Sequence, residues 1–97
     1  MPGATTSTFY VVYVLESQTK SWKYIGFTTN LKNRFEQHQN GHVFSTKSYR
    51  PLKLIYAELC TNKEDARRRE QYLKTTKGRR FLAKRLKTYY SSHRRIS

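Results

Sequence analysis

The segment from Tyr13 to Arg34, YVLESQTKSWKYIGFTTNLKNR, constrains this chain more than any other. It opens in a β-branched and aromatic run, Phe9-Tyr10-Val11-Val12-Tyr13-Val14-Leu15, with the composition of a strand. A polar turn, Ser17-Gln18-Thr19-Lys20-Ser21, leads into a second strand from Trp22 to Phe27. Two strands joined this closely predict an antiparallel hairpin. With the hairpin symmetric about Gln18-Thr19, Tyr13 lies opposite Tyr24, and opposite residues share a face. Gly26 inside the second strand marks a close backbone approach or a bulge. Asn30 is placed to cap a helix over Leu31 to Gln39, which Asn40-Gly41 stops. On that helix Leu31, Arg34, Phe35 and His38 fall on one face. Leu31 and Phe35 belong in the core, so Arg34 and His38 ride its edge and face the sheet.

The rest of the chain continues the alternation. Residues 42–52 read as a polar, basic loop, and Lys53 to Cys60 as a third strand. Thr61 and Glu64 are spaced as a capping box for a helix that runs to about Thr75. Gly78 separates this from a last helix over about Arg79 to Tyr89. Residues 1–8 are small and polar and read as a disordered arm. Residues 90–97 read as a basic tail. The expectation is therefore one α/β (α+β) domain over residues 9–89, a small three-stranded antiparallel sheet flanked by helices.

Charge decides the class of partner. The chain has 97 residues, with 20 Lys plus Arg against six acids and a net charge of +14. From Gln71 to the end there are nine Lys or Arg and no acid. A compact chain with that imbalance repels itself, and the charge serves a polyanion, nucleic acid first. A solvated basic end is the plain alternative for the C-terminal run. No apolar run approaches the roughly 20 residues that span a bilayer, so no membrane partner is expected. The N-terminus lacks the basic-then-apolar order of a secretory signal. One cysteine, Cys60, cannot form an internal disulfide. Together these features point to a reducing cytoplasm.

Few residues are suited to chemistry. Glu70 is the odd one, because Ala66, Arg69, Glu70 and Leu73 occupy one helical stripe that should be buried. A carboxylate there needs a cation. The cation is either a metal or Lys74, four residues on. Only Glu16, Glu36, Glu58, Glu64 and Asp65 accompany it, too few and too scattered for a two-metal carboxylate site. Arg34, taken alone, reads as a solvated helix residue, and Tyr13 and Tyr24 as core or sheet-surface tyrosines. His38 and His42 have a metal spacing, but Gly41 ends the helix between them and no further zinc ligands are evident. No glycine-rich phosphate loop and no Ser-His-Asp signature is present.

Taken together these residues resemble the GIY-YIG nuclease family. Val11-Val12-Tyr13 stands for the first motif and Tyr24-Ile25-Gly26 for the second. Arg34 and His38 follow on the first helix, Asn40-Gly41 at its end, and Glu70 on the second long helix. The resemblance covers about Phe9 to Leu86 and is greatest to the short stand-alone bacterial members. Val11 stands where the family name has glycine, and the family's later asparagine has no clear counterpart. The resemblance implies a metal-dependent endonuclease with a single Mg²⁺ or Mn²⁺ bound by Glu70. It implies Tyr13 as general base, its pKa drawn down by Arg34 and the metal, with Tyr24 orienting the water or sharing the task. Arg34 steadies the phosphate, and His38 relays a proton or contacts it. Ser45, Thr46, Lys47 and Arg50 are the loop candidates for holding the DNA backbone. Lys77, Arg79, Arg80, Lys84, Arg85 and Lys87 are candidates from the last helix and tail. Such contacts position without reading sequence, which leaves targeting to a protein partner. The competing class is a non-catalytic DNA- or RNA-binding module on the same fold, and an unrelated small basic protein is a third.

Overall fold

A computed structural model describes residues 8–92. Strand β1 (Tyr10–Ser17) is followed by β2 (Lys23–Thr28), helix α1 (Leu31–Gln39) and the short α2 (Phe44–Lys47). Strand β3 (Leu52–Cys60) then leads to α3 (Lys63–Leu73), α4 (Thr76–Arg85) and α5 (Lys87–Ser92). The three strands form one antiparallel sheet in the order β2-β1-β3. The expected fold class is therefore the observed one. Apart from Thr8 the expected N-terminal arm lies outside the described residues, as does 93–97 of the expected tail. The tail's first residues, Tyr90 to Ser92, belong to α5.

β1 is the central strand, and its composition explains why. Val11 through Leu15 are all buried, because both faces of the strand are covered. Val12 and Val14 pack with Ile25 of β2 against Ala66, Leu73, Leu82 and Leu86, the layer built by α3 and α4. Val11, Tyr13 and Leu15 face Leu52, with Trp22, Tyr24, Leu31, Phe35 and Tyr49 packed around them. β3 pairs with β1 through an irregularity between Val14 and Leu15 that leaves Ile55 as the extra residue.

The hairpin register differs from the symmetric expectation. Tyr13 pairs with Gly26, and Tyr24 pairs with Leu15. The turn is set later in the sequence because the Ser17 backbone N–H donates to the Trp22 carbonyl, and the Ser17 hydroxyl accepts from the N–H groups of Thr19 and Lys20. A shift of two residues keeps Tyr24 on the Tyr13 face, since side chains alternate with period two.

Helix α1 has the expected bounds. Asn30 caps it by accepting from the Asn33 N–H, and Gly41 follows it at φ +78°, a conformation that favours glycine. The other ends differ from expectation. Asn62, not Thr61, caps α3, accepting from the N–H groups of Glu64 and Asp65, so there is no capping box. α3 stops at Leu73, and Thr75 caps a new helix through the Gly78 N–H. Gly78 is no separator. It sits buried in the first turn of α4, where a Cβ would strike the Tyr72 carbonyl oxygen and Leu73 Cα. The last helical stretch is two pieces, α4 and α5, rather than one.

Candidate active site

The site is assembled around one phenol. Tyr13, on the central strand, is 1% exposed. Its ring lies over Gly26, where an added Cβ would collide with the Tyr13 ring and hydroxyl and with Tyr24. Glycine in the second motif is therefore a packing requirement: β2 must approach the Tyr13 ring with no side chain in the way. Tyr24 is half-buried beside it, with ring centroids 6.2 Å apart.

α1 supplies the next two groups. His38 is fully buried, deeper than the core edge expected for it. Its Nε2 lies 2.7 Å from the Tyr13 hydroxyl, and its Nδ1 lies 2.8 Å from Thr46 Oγ1. The Thr46 hydroxyl donates in turn to the Val43 carbonyl at 3.4 Å. A hydroxyl has one proton to give, so Thr46 accepts from His38 Nδ1–H, and Nε2 is left bare to accept from Tyr13. Burial, aided by the Arg34 charge, lowers the His38 pKa to about 4. The ring is neutral near pH 7, as this chain of donors requires.

Arg34 is half-buried, its guanidinium donating to Gln37 Oε1 at 2.9 Å. It also bears on Tyr13. Burial raises the phenol pKa to about 12, opposed by Arg34 and reinforced by Tyr24 and Glu70. Arg34 therefore pulls Tyr13 downward as expected, but by itself it does not prevail. Desolvation of a phenolate in the packed layer outweighs it.

Glu70 belongs to the other layer, on α3, between buried Ala66 and Leu73. Its side chain is only 13% exposed, and Lys74 Nζ lies 3.3 Å from Oε2. The ion pair expected as the plain reading is therefore present, at the long end of hydrogen-bonding range. Among the described residues no group of three His, Cys, Asp or Glu clusters as a metal cage. One carboxylate nevertheless suits Mg²⁺ or Mn²⁺, which keep several waters and take further oxygens from a phosphate. The second residue of the stripe, Arg69, faces elsewhere. It makes a bidentate pair with Glu58, whose carboxylate also accepts from the Tyr56 hydroxyl at 2.6 Å.

The loop candidates divide. Ser45, Lys47 and Arg50 are exposed. Thr46 is fully buried, so it is a partner of His38 and not a backbone contact for DNA. Sequence reading missed this role because the stretch looked like open loop. The available signal was Gly41, whose turn folds the following residues back toward α1. Arg50 is exposed but also braces two helix ends, donating to the Lys47 and Gln39 carbonyls. Lys77, Arg79, Arg80, Lys84, Arg85 and Lys87 are all exposed. Arg85 lies close enough to Tyr56 and Glu58 to affect both.

The GIY-YIG catalytic domain model matches residues 9–85. The chain belongs to the GIY-YIG family. Among curated proteins it is similar to a UPF0213 protein of Limosilactobacillus reuteri, 44% identical over 68 residues, covering 67% of this chain and 70% of that one. A UPF0213 protein of Clostridium perfringens is 41% identical over 64 residues, 65% and 68% of the two chains. The solution NMR structure of a UPF0213 protein from Bacillus halodurans is similar at a TM-score of 0.50 and 26% identity. It covers 78% of this chain and 83% of that one. The GIY-YIG assignment makes this a nuclease fold. No helix among the described residues is long and apolar enough to cross a membrane.

Proposed function

We propose that this GIY-YIG chain is a metal-dependent endonuclease that hydrolyses phosphodiester bonds in DNA with little sequence preference. The observation that supports this most is the grouping of His38 and Tyr24 on the Tyr13 phenol, with Arg34 and Glu70 near enough to bear on its charge. Structural tyrosines do not need a buried imidazole acceptor, an arginine and a carboxylate from the opposite layer.

Hydrolysis requires water to attack phosphorus, a proton to leave that water, and charge to be neutralised as the ester P–O bond breaks. Tyr24, the more exposed phenol, takes the outer place and orients the water. Tyr13 stands behind it and takes the water's proton on its phenol oxygen as it gives its own to His38 Nε2, while Thr46 holds the other ring nitrogen. A phosphate bound at Arg34 offsets the charge that depresses His38, so substrate binding itself makes the imidazole a better acceptor. Arg34 also meets the charge that grows on the phosphoryl oxygens, an effect worth roughly 10²–10³ in rate. Glu70 would hold the Mg²⁺ or Mn²⁺, which supplies neutralisation of the departing oxygen.

The test is plasmid cleavage with Mg²⁺, with Mn²⁺ and with EDTA, by the wild type, Glu70→Ala and Arg34→Ala. The expected result is metal-dependent nicking that both substitutions abolish with the fold retained. Cleavage that persists in either pure variant rejects the assigned roles. The Glu70–Lys74 pair is the observation that favours the second reading, a binding module on a nuclease fold. Binding without cleavage under every condition supports that one.

A further inference from the structure

Phe44 is 93% exposed. A ring so placed adds nothing to the core, yet the segment that carries it is fixed. Val43, immediately before it, is buried, and Thr46, two residues later, is fully buried and bonded to His38. The Thr46 hydroxyl closes back on the Val43 carbonyl. Phe44 therefore projects to solvent from a turn that is fastened directly to the Tyr13–His38 pair. An open hollow of about 490 Å³ adjoins it, lined by Phe44, Ser45, Lys47, Ser48, Tyr49 and Arg50. Lys47 and Arg50 are exposed there, and from Gln37 to Ala57 the sequence contains no acid.

We propose that Phe44 is a stacking platform for an unpaired base of the nucleic-acid substrate and sets a preference for single-stranded or opened DNA beside the cleavage site. This rests on the nucleic-acid reading given above. The charge argues for a polyanion as occupant, and the ring argues for a partner with a flat apolar face. A nucleobase on its phosphodiester strand offers both. In an intact duplex each base face is already covered by its neighbours. A base that has left the stack is free to lie on an aromatic ring, and stacking of this kind tolerates any sequence.

The experiment is fluorescence anisotropy in EDTA with one labelled oligonucleotide, single-stranded and annealed to its complement. Wild type, Phe44→Ala and Phe44→Trp are compared, with thermal unfolding as the check on folding. Phe44→Ala is expected to weaken single-strand binding about tenfold and duplex binding less than twofold. Phe44→Trp is expected to keep the affinity, and single strands quench its added indole fluorescence more than duplex does. Equal affinity of Phe44→Ala and wild type for both forms overturns the platform and leaves Phe44 as a docking residue for a protein. An equal loss on both forms overturns the strand preference. No binding by wild type overturns it together with the nucleic-acid reading. Because no metal is present, absence of nuclease activity leaves this measurement intact and is recognised separately in the cleavage assay.

Discussion

The Tyr13 hydroxyl and His38 Nε2 lie 2.7 Å apart in a buried layer, Tyr13 being 1% and His38 0% exposed. The pair links the central strand to the first helix with a hydrogen bond between two groups that could each be ionised elsewhere. Burial sets both neutral: it raises the phenol pKa to about 12 and lowers the imidazole to about 4. The same contact that orders a proton path therefore makes the fold sensitive to acid.

The sign follows from linkage. The His38 pKa is lower in the folded chain than the ordinary 6.5, so the unfolded chain binds the extra proton first. Its contribution is complete above about pH 6.5 and is lost as pH falls toward about 4, in total about 3 kcal/mol. Glu58 withdraws support lower still. Burial opposes its ionisation, but the Arg69 and Tyr56 hydrogen bonds hold its carboxyl below the usual range. Urea midpoints for wild type and His38→Gln at pH 7.5, 6 and 5 test this. The wild-type midpoint is expected to fall across that range, and the variant to start lower and change less. Parallel curves would remove His38 as the source.

Gly26 gives a steric prediction. A methyl group there meets the Tyr13 ring and hydroxyl and the Tyr24 ring, all at less than contact distance. Tyr13 cannot yield without breaking its bond to His38. Gly26→Ala is expected to cost about 1–3 kcal/mol as overpacking and to reduce cleavage more than that loss of stability accounts for. Thermal unfolding and nicking rates measured on the same preparation separate the two effects. An unchanged rate would mean that Tyr13 can move without consequence.

The Glu70–Lys74 pair joins a side chain 48% exposed to one 13% exposed. A pair spaced i, i+4 on an exposed helix is worth only about 0.3–0.5 kcal/mol, and an amide at position 70 keeps the shape while removing the charge that needs a cation. Glu70→Gln is expected to leave the melting temperature in EDTA within a degree or two of wild type. A ligand that binds only the folded chain raises that temperature. Mg²⁺ is therefore expected to stabilise the wild type and not Glu70→Gln, while Lys74→Ala, freed of a competing cation, responds at lower Mg²⁺. Equal stabilisation of wild type and Glu70→Gln would place the metal elsewhere.

What could be read from sequence was what depends on local order. Asn30 and Gly41 state the ends of α1 by their own conformational preferences, and the five-residue apolar run of β1 states that both its faces are covered. The hairpin register was legible only in parity. The run of residues 17–21 does not say which of them will turn, and the Ser17 hydroxyl decided it. α3 and α4 were misdivided because Gly78, which looks like a breaker, serves close packing of one helix on the end of another. Arg34 and His38 were placed near the sheet by helical spacing alone. Thr46 was singled out in a surface role, because its contact with His38 depends on a loop path that no periodicity records. The strength of the burial that opposes Arg34 at Tyr13 was missed for a related reason. Charge is visible in a sequence, and the completeness of burial is not.

Thr46 separates the two accounts of its loop. As a contact for the DNA backbone, its loss would weaken binding. As the acceptor for His38 Nδ1–H, its loss leaves a buried donor unpaired, at a cost of about 1–3 kcal/mol. The ring can then turn or change tautomer, and a proton on Nε2 removes the acceptor that Tyr13 uses. Thr46→Val keeps the shape and deletes the hydroxyl, whereas Thr46→Ser keeps the hydroxyl. The expected pattern is lower stability and a much lower cleavage rate for Thr46→Val, recovery of most of both in Thr46→Ser, and DNA affinity in EDTA unchanged by either. Weaker DNA binding by Thr46→Val at full stability would return this residue to the surface role and break the chain from Tyr13 through His38.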